Sequence, residues 1–571
     1  MTTDRTLSDP AGRGSTSVDP TRLATWGLAA VLAALVLPPL VFLVQGSLTG
    51  TEGEITLRYF RRIFADRRLF ESVANSALFA FGSAAVALLF GGFIAWIVER
   101  TNTPLKALAY LTTVISLGTP YVLYVSAWLF LLGKAGPVNA LWRQWTGGTD
   151  ALVNVYSLGG MIMVEGFLWS PLVFLLMAAT LRNANPELEE AARMSGAGVW
   201  ETIRRITLRL SLPALLALAL LVFIRALEGF EVPALIGLPG RVNVLTTDIF
   251  LDMNAQVPPD FGHASAYSVL LLAMVSALLY FYGRLSKSAE RFATITGKGF
   301  RPRPFDLGRG RFATAAVLIL NFILLLVAPT LILVWASLLP FYQTIRASAF
   351  HLLTLHNYQV VLASTHYLEL LRNTLAIAAG AATVTMALTL VAGWLAARRQ
   401  RGAWALDQLA MLPLVFPGIV LGVAVMQLFL NSPVPLYGTI WIIMWAFVIR
   451  YLPYGMRYSY AGMIQIHREL EEAAGVSGAT AFEGLRRIVV PLLTPALAAG
   501  WLFIFLLGAR VLSLPILLAG PSSQTMAVAM YDLWSNGQGP ELAALGLLWT
   551  ALMTAIACIF HVFSRRNAIA T

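Results

Sequence analysis

Four acidic side chains that follow the fifth apolar stretch are the residues best suited to metal chemistry. Glu231, Asp248, Asp252 and Asp260 offer carboxylate oxygens, which are the ligands that hard cations prefer. Their irregular spacing matches no metal-binding motif, so the sequence favours the alternative that they lie in a solvated loop. We therefore predict that this chain binds no metal and no cofactor of its own.

Motifs for covalent catalysis and for nucleotide binding are absent from the sequence. It contains no His-Glu-x-x-His, no Gly-x-Ser-x-Gly and no Gly-x-x-x-x-Gly-Lys-Ser/Thr. Its single cysteine, Cys558, excludes an intrachain disulfide. These absences predict a chain that is not an enzyme and that does not bind ATP itself.

The composition is that of a membrane protein. Of the 571 residues, 58% are hydrophobic and 12% are charged, and the mean hydropathy is +0.73. The net charge of +11 is best explained as a topology signal of basic loops, which excludes nucleic acid as a partner.

The apolar residues fall into runs of the length that a membrane-spanning helix needs, about 20 residues. A polar tail, residues 1–25, precedes the first run and is predicted to be disordered in the cytoplasm. The sequence predicts twelve spans in an all-α membrane protein, at 26–44, 73–98, 105–132, 156–181, 212–230, 264–282, 312–339, 370–397, 406–430, 437–452, 494–512 and 541–563.

Lysine and arginine are concentrated in the loops on the side of the N-terminus, which predicts that both termini are cytoplasmic. The segment 57–68 conflicts with this orientation because it places five arginines on the outer side. We resolve the conflict by predicting that residues 57–64 form a helix on the membrane surface.

An internal repeat organises the chain. Residues 187–213 and 469–495 are identical at 15 of 27 positions, at a displacement of 282. Each copy belongs to a half with six predicted spans, and because six is even the two halves run in the same direction. We predict a first half at 26–283 with a loop at 185–213, a basic cytoplasmic linker at 284–311, and a second half at 312–566 with a loop at 467–495.

The repeated loop reads as a short helix, a glycine turn and a second helix. Asn185 and Pro186 supply an N-cap and a proline at the first helical position, and Gly196 is suited to end the helix. An amphipathic helix that is simply solvated at the membrane surface is the alternative for a single copy. Two copies on the same face favour a surface that must fit a partner twice.

The repeated residues resemble the EAA motif of permease subunits in binding-protein-dependent ABC importers. The matching residues are Glu190, Ala191, Ala192 and Gly196 in the first copy, and Glu472, Ala473, Ala474 and Gly478 in the second. The first copy lacks the proline that the motif shows near its end, which leaves the shape of its exit helix open. The resemblance implies that each loop couples to a cytoplasmic ATPase subunit that binds ATP and Mg²⁺. It also implies two ATPase copies and a periplasmic substrate-binding protein as partners.

Long fused chains of this kind resemble the ferric iron permeases most, with thiamine and aminoalkylphosphonate permeases as alternatives. The residues concerned are 227–239 and their counterparts 511–521, where Pro233 and Pro515 align at the displacement of 282. We expect each fifth helix of a half to break at its proline and to form a gate on the outer side. The predicted gate residues are Glu228, Glu231, Pro233, Arg510 and Pro515.

Charged residues inside the spans leave further alternatives open. Glu228 and Arg510 occupy equivalent positions and suggest an ion pair between the halves, but Arg225 offers Glu228 a local partner. Glu165 and Arg450 are interpreted as buried structural anchors. A different class, an ion-driven secondary carrier, shares the plan of twelve spans in two parallel halves, although such carriers need more ionisable residues at mid-membrane than this sequence has.

Overall fold

The computed structural model describes residues 20–50, 52–183, 187–291 and 305–570, and the described residues form helices and no β-strand. The helices of the first half are α1 (Pro20–Leu48), α2 (Arg58–Ala65), α3 (Arg67–Arg100), α4 (Ala107–Gly118), α5 (Tyr121–Leu132), α6 (Pro137–Thr146), α7 (Leu158–Asn183), α8 (Glu187–Met194), α9 (Val199–Thr202), α10 (Leu208–Leu227), α11 (Leu245–Asn254) and α12 (Phe261–Arg291).

The second half repeats this order. Its helices are α13 (Gly310–Phe322), α14 (Ala328–Ser337), α15 (His356–Ala363), α16 (Thr365–Ala397), α17 (Ala403–Met411), α18 (Gly418–Leu430), α19 (Ile440–Met463), α20 (Glu469–Val476), α21 (Ala481–Gly484), α22 (Val490–Gly508), α23 (Pro515–Leu518), α24 (Met526–Ser535) and α25 (Gly539–Ala570). Helices α3, α7 and α10 pack together in the first half, and α16, α19 and α22 pack together in the same way in the second.

Ten helical segments of the described chain are long and apolar enough to cross a membrane, and one bent pair gives an eleventh. Two predicted spans are therefore wrong in shape. The run 105–132 is broken between α4 and α5, and the run 406–430 is broken by 108° between α17 and α18. The physical reason is proline, because Thr119 and Phe416 precede Pro120 and Pro417 and adopt the extended backbone that a following proline favours.

The remaining predicted span, 437–452, corresponds to α19. With 24 residues, α19 has a length of roughly 36 Å, enough to cross a hydrocarbon core of about 30 Å. It is less apolar than the other spans because Arg450 and Arg457 lie within it. We count α19 as the twelfth span since it packs in the second half where α7 packs in the first.

The first span of each half packs against the other half. Helix α1 contacts α17 and α18 as well as α12 of its own half, and α14 contacts α5 as well as α25. The two halves are therefore interlocked through exchanged helices.

Three sequence predictions fall partly or wholly outside the described residues: the tail at 1–25, the N-cap at Asn185 and Pro186, and the linker at 284–311. The described residues 20–25 of the tail belong to α1, and the described residues 284–291 of the linker belong to α12. The described end of the linker is attached to the turn after α3. The Phe305 N–H donates to the Arg100 carbonyl at 2.7 Å, and the Asn102 side-chain amide donates to Asp306 at 2.6 Å.

Candidate functional site

The repeated loops fold in both copies as the sequence predicts. The short helices α8 and α20 end in glycines with left-handed backbone, φ +85° at Gly196 and +87° at Gly478. The residue after each glycine closes the helix with a hydrogen bond. The Ala197 N–H donates to the Ala192 carbonyl and the Ala479 N–H donates to the Ala474 carbonyl, each at 3.0 Å. This closing pattern requires a residue that adopts positive φ without strain, which explains the repeated glycines.

The helix that leaves each loop has the same shape in both halves. A π-helical turn occupies Ile203–Thr207 in the first half and Leu485–Val489 in the second, at equivalent positions, and continues into α10 and α22. The missing proline in the first copy therefore does not change its exit helix. Because π-turns are rare and occur often at functional sites, their duplication supports a shared role for the two exits.

A buried glutamate anchors the first loop to the membrane domain. The Glu189 carboxylate lies 3.4 Å from Arg100 Nε at the end of α3 and accepts a hydrogen bond from Thr207 at 2.8 Å. The Glu189 and Arg100 side chains are 6% and 4% exposed, so a buried ion pair fixes the loop to the end of α3.

The second loop is anchored at the equivalent position. The Glu471 carboxylate accepts hydrogen bonds from Arg398 Nε at 2.7 Å and from Trp394 Nε1 at 2.8 Å, both on or next to the end of α16. The motif resemblance indicates the next residues, Glu190 and Glu472, and does not indicate these anchors. The available signal was the pair Arg100 and Arg398, which are displaced by 298, as are the helices α2 and α15. The repeat does not separate Glu189 from Glu190, because both glutamates are identical in the two copies.

The motif residues themselves lie on the outside of the loops. Glu190 is half-buried, whereas Glu472 is exposed and pairs with Arg468 one turn earlier at 2.9 Å. Ala191 and Ala473 are exposed.

Each loop also exposes apolar side chains at matching positions. Met194 and Val476 are 90% and 91% exposed, and Trp200 and Phe482 are 74% and 67% exposed. Exposed large apolar side chains at matching positions of two loops are typical of surfaces that contact a protein or a membrane. We name Leu188, Met194, Trp200 and their counterparts Leu470, Val476 and Phe482 the coupling surface.

The predicted gate lies at the other end of the exit helices. Helix α10 ends at Leu227 and α22 ends at Gly508, several residues before Pro233 and Pro515. The prediction that the helices break at these prolines is therefore wrong in position. Each proline instead begins a short helical turn, where its fixed φ and missing N–H carry no cost.

Three polar contacts join the halves at the gate. The Glu231 carboxylate accepts from the Leu512 N–H at 3.3 Å, and Arg225 Nη2 lies 3.5 Å from the Tyr454 hydroxyl. Arg510 packs over the ring of Tyr121 and donates to its hydroxyl at 3.1 Å.

The ion pair of Glu228 is local. Its carboxylate lies 3.0 Å from Arg225 Nη1 on the preceding turn, and the two side chains are 5% and 19% exposed. The structure thus favours the local alternative, and the hypothesised pair of Glu228 with Arg510 is replaced by the contact of Arg510 with Tyr121.

The two charged span residues interpreted as anchors are buried or half-buried and hydrogen-bonded. Glu165 accepts from Trp169 at 2.9 Å, and Arg450 donates to the Phe416 carbonyl at 2.9 Å. The contact of Arg450 stabilises the backbone at the break before Pro417.

The prediction of a solvated acidic loop is wrong. Asp248 is 1% exposed and pairs with Arg68 at 2.7 Å, while Asp252 contacts His263 at 2.7 Å. Asp260 pairs with Arg62 at 2.9 Å. Burial raises the pKa of the Asp248 carboxyl above its usual value, although the Arg68 guanidinium opposes that rise.

These pairs account for two arginines of segment 57–68, because Arg62 and Arg68 neutralise Asp260 and Asp248. The predicted helix at 57–64 is present as α2, at Arg58–Ala65. Among the described residues, no group of three or more His, Cys, Asp or Glu side chains is arranged to hold a metal ion.

The sequence matches one family model twice. The model is that of the binding-protein-dependent transport system inner membrane component, and it matches residues 76–291 and 389–568. Both matched regions include a repeated loop and the exit helix that follows it.

Several permeases are similar to this chain over most of their own length. The ferric transport system permease protein FbpB of Actinobacillus pleuropneumoniae is 25% identical over 87% of this chain and 72% of its own. A probable ABC transporter permease of Sinorhizobium fredii is 26% identical over 95% of both chains. A putative 2-aminoethylphosphonate permease of Salmonella paratyphi A is 29% identical over 45% of this chain and 88% of its own.

The two matches, the all-α architecture and the duplicated loops agree with one another. This chain belongs to the family of inner-membrane components of binding-protein-dependent transport systems, as a fused two-half permease of an ABC importer.

Proposed function

We propose that this permease imports ferric iron from a periplasmic binding protein, driven by two copies of a cytoplasmic ATPase that dock on its two loops. The observation that carries the proposal is the duplication of the loops in sequence, backbone, anchor and coupling surface. The two coupling surfaces match, which is expected if each of them binds its own copy of the same partner.

The anchors provide a path from the ATPases to the gate. Movement of α8 is passed to α3 through Glu189 and Arg100, and movement of α20 is passed to α16 through Glu471 and Arg398. Each loop also continues directly into α10 or α22, which ends next to the gate contacts. A displacement of both loops on ATP binding would therefore strain the contacts that join the halves on the outer side.

The orientation of the chain in the membrane follows from the assignment of the two loops as docking sites for cytoplasmic ATPases. The loops and both chain termini lie in the cytoplasm, whereas α2, α11 and the gate face the periplasm. ATP and Mg²⁺ bind to the partner subunits, and no residue of this chain forms or breaks covalent bonds.

The similarity to ferric permeases over most of both chains supports iron as the substrate. A phosphonate is the second candidate, because the phosphonate permeases align at slightly higher identity over a single half. Uptake by the transporter reconstituted with its cognate binding protein distinguishes the two. We expect uptake of ⁵⁵Fe³⁺ and no uptake of labelled aminoethylphosphonate, and the opposite result would reassign the substrate.

A first prediction concerns the coupling surface. Replacing Met194 and Val476 with glutamate places a charge in each apolar contact, and we expect the ATPase subunit to bind at least about tenfold more weakly. Co-purification from membranes measures the loss. Glu469→Lys is the control, because Glu469 is exposed on α20 but is not part of the coupling surface, and it should retain the ATPase.

A secondary carrier would behave differently. Its uptake would follow an ion gradient and would continue when the ATPase subunit is removed. The Met194→Glu, Val476→Glu double variant tests this alternative. If uptake persists without ATP and is unaffected in that variant, transport by this chain is not driven by an ABC ATPase.

A further inference from the structure

A cleft of about 460 Å³, lined by both polar and apolar residues, opens on the face opposite the coupling loops. It lies between the ends of α1 and α18, the helix α2 and the start of α12, so both halves contribute to its walls. The side chains that line it include Gln45, Arg58, Tyr59, Asp260, Gln427 and Asn431.

The equivalent position in the second half is filled by the chain itself. Gln427 is the tenth residue of α18, and the tenth residue of α5 is Phe130. The ring of Tyr342 stacks on Phe130 at 4.6 Å, and its hydroxyl donates to the Phe130 carbonyl. Thr344 adds a hydrogen bond to the Ala135 carbonyl at 2.8 Å.

The filling segment comes from a longer connection. Residues 338–355 join α14 to α15, whereas only residues 49–57 join α1 to α2. The helix ends differ as well, since Trp335 stands two residues before the end of α14 and Gly46 stands two before the end of α1. Gly46 lies against the Gln427 side chain, so a larger residue there would enter the cleft. The first half thus lacks the segment that fills the site in the second, and it also lacks the tryptophan that donates to the Gln343 carbonyl of that segment.

The charge of the two sites also differs. Arg58 and Arg62 line the open cleft, while the corresponding helix α15 contains no lysine or arginine. Arg62 pairs with Asp260, whereas Arg58 is exposed and forms no salt bridge among the described residues. The open cleft therefore presents a positive charge beside a polar wall.

We propose that this cleft receives a loop of the periplasmic binding protein that carries an acidic side chain for Arg58 and an aromatic side chain in the position that Tyr342 occupies in the second half. This inference rests on the proposed function and specifies the partner surface. It assigns the binding protein one orientation, with the lobe that bears this loop over the open cleft and the other lobe over the filled site.

Two variants test the cleft. Gln45→Trp fills it from α1, and Arg58→Glu reverses its charge. The dissociation constant of the cognate binding protein is measured on the assembled transporter in nanodiscs. We expect each variant to weaken binding at least about tenfold, and the wild-type affinity to fall with added salt.

Matched controls keep the test specific. Val44→Trp adds the same ring to the neighbouring exposed position of α1, and Arg61→Glu makes the same charge change on α2 outside the cleft. Both should bind within about twofold of wild type. Equal weakening by the controls, or no weakening by the cleft variants, would overturn the proposal.

A photo-crosslinking amino acid at position 45 identifies the occupant directly. The proposal expects a crosslink to the binding protein that disappears with Arg58→Glu. A crosslink only to an anionic lipid headgroup would overturn it. If the wild-type complex contains no ATPase subunit and binds no binding protein, the proposed function itself fails, which is a separate result.

Discussion

Glu471→Ala is expected to lower ATP-driven uptake at least about tenfold while the ATPase subunit stays bound. The carboxylate of Glu471 holds Arg398 and Trp394, and the Glu471 and Arg398 side chains are only 16% and 11% exposed. Removing one partner of a buried ion pair costs about 3–5 kcal/mol, because the other charge stays buried without compensation. The coupling surface remains in place, so ATP hydrolysis should continue without efficient transport.

Uptake and ATP hydrolysis are measured together in proteoliposomes. Glu469→Ala removes the same charge from an exposed position on the same helix and should leave both rates near wild type. The double variant Arg398→Ala, Glu471→Ala removes both buried charges, so it should regain thermal stability but not uptake. If Glu471→Ala transports as well as Glu469→Ala, the anchor has no role in coupling.

The second large effect is expected at the gate. Glu228→Ala leaves the Arg225 guanidinium in a site where it is 19% exposed, and we expect a loss of stability of about 3–5 kcal/mol. The cost should appear as a lower midpoint of thermal unfolding in nanodiscs. Adding Arg225→Ala should recover part of that loss, because the guanidinium that Glu228 neutralises is then absent as well.

Charge reversal separates the local pair from a pair between the halves. Glu228→Arg and Arg510→Glu should each impair uptake, and combining them should restore nothing, because Glu228 pairs with Arg225 and Arg510 contacts Tyr121. Recovery in the combined variant would show that Glu228 and Arg510 meet during the transport cycle.

Most of the fold follows from the sequence, because apolar runs predict where the spans lie and the internal repeat predicts which residues of the two halves are equivalent. The displacement of 282 places Gly196 and Gly478 at the same turn, and the structure confirms positive φ at both. Where prolines interrupt apolar runs, the sequence signals a break, but only packing decides where the helix ends. Helix α10 therefore ends at Leu227 and not at Pro233.

The candidate site was less predictable because its key contacts join residues that are distant in sequence. Nothing local distinguishes Glu189, which is buried against Arg100, from Glu190 beside it. The outer acids show the same limit. The sequence around Asp248 indicates a solvated loop residue. In the structure Asp248 is paired with Arg68, which lies 180 positions earlier in the chain.

The exchange of α1 and α14 between the halves has a consequence for how this protein is built as one polypeptide. Because the first helix of each half packs against the other half, cleavage of the linker between the halves should not cause them to dissociate. Covalent fusion therefore contributes little adhesion. What it guarantees is stoichiometry, so that a unit with a filled outer site is always made together with a unit whose outer site is open.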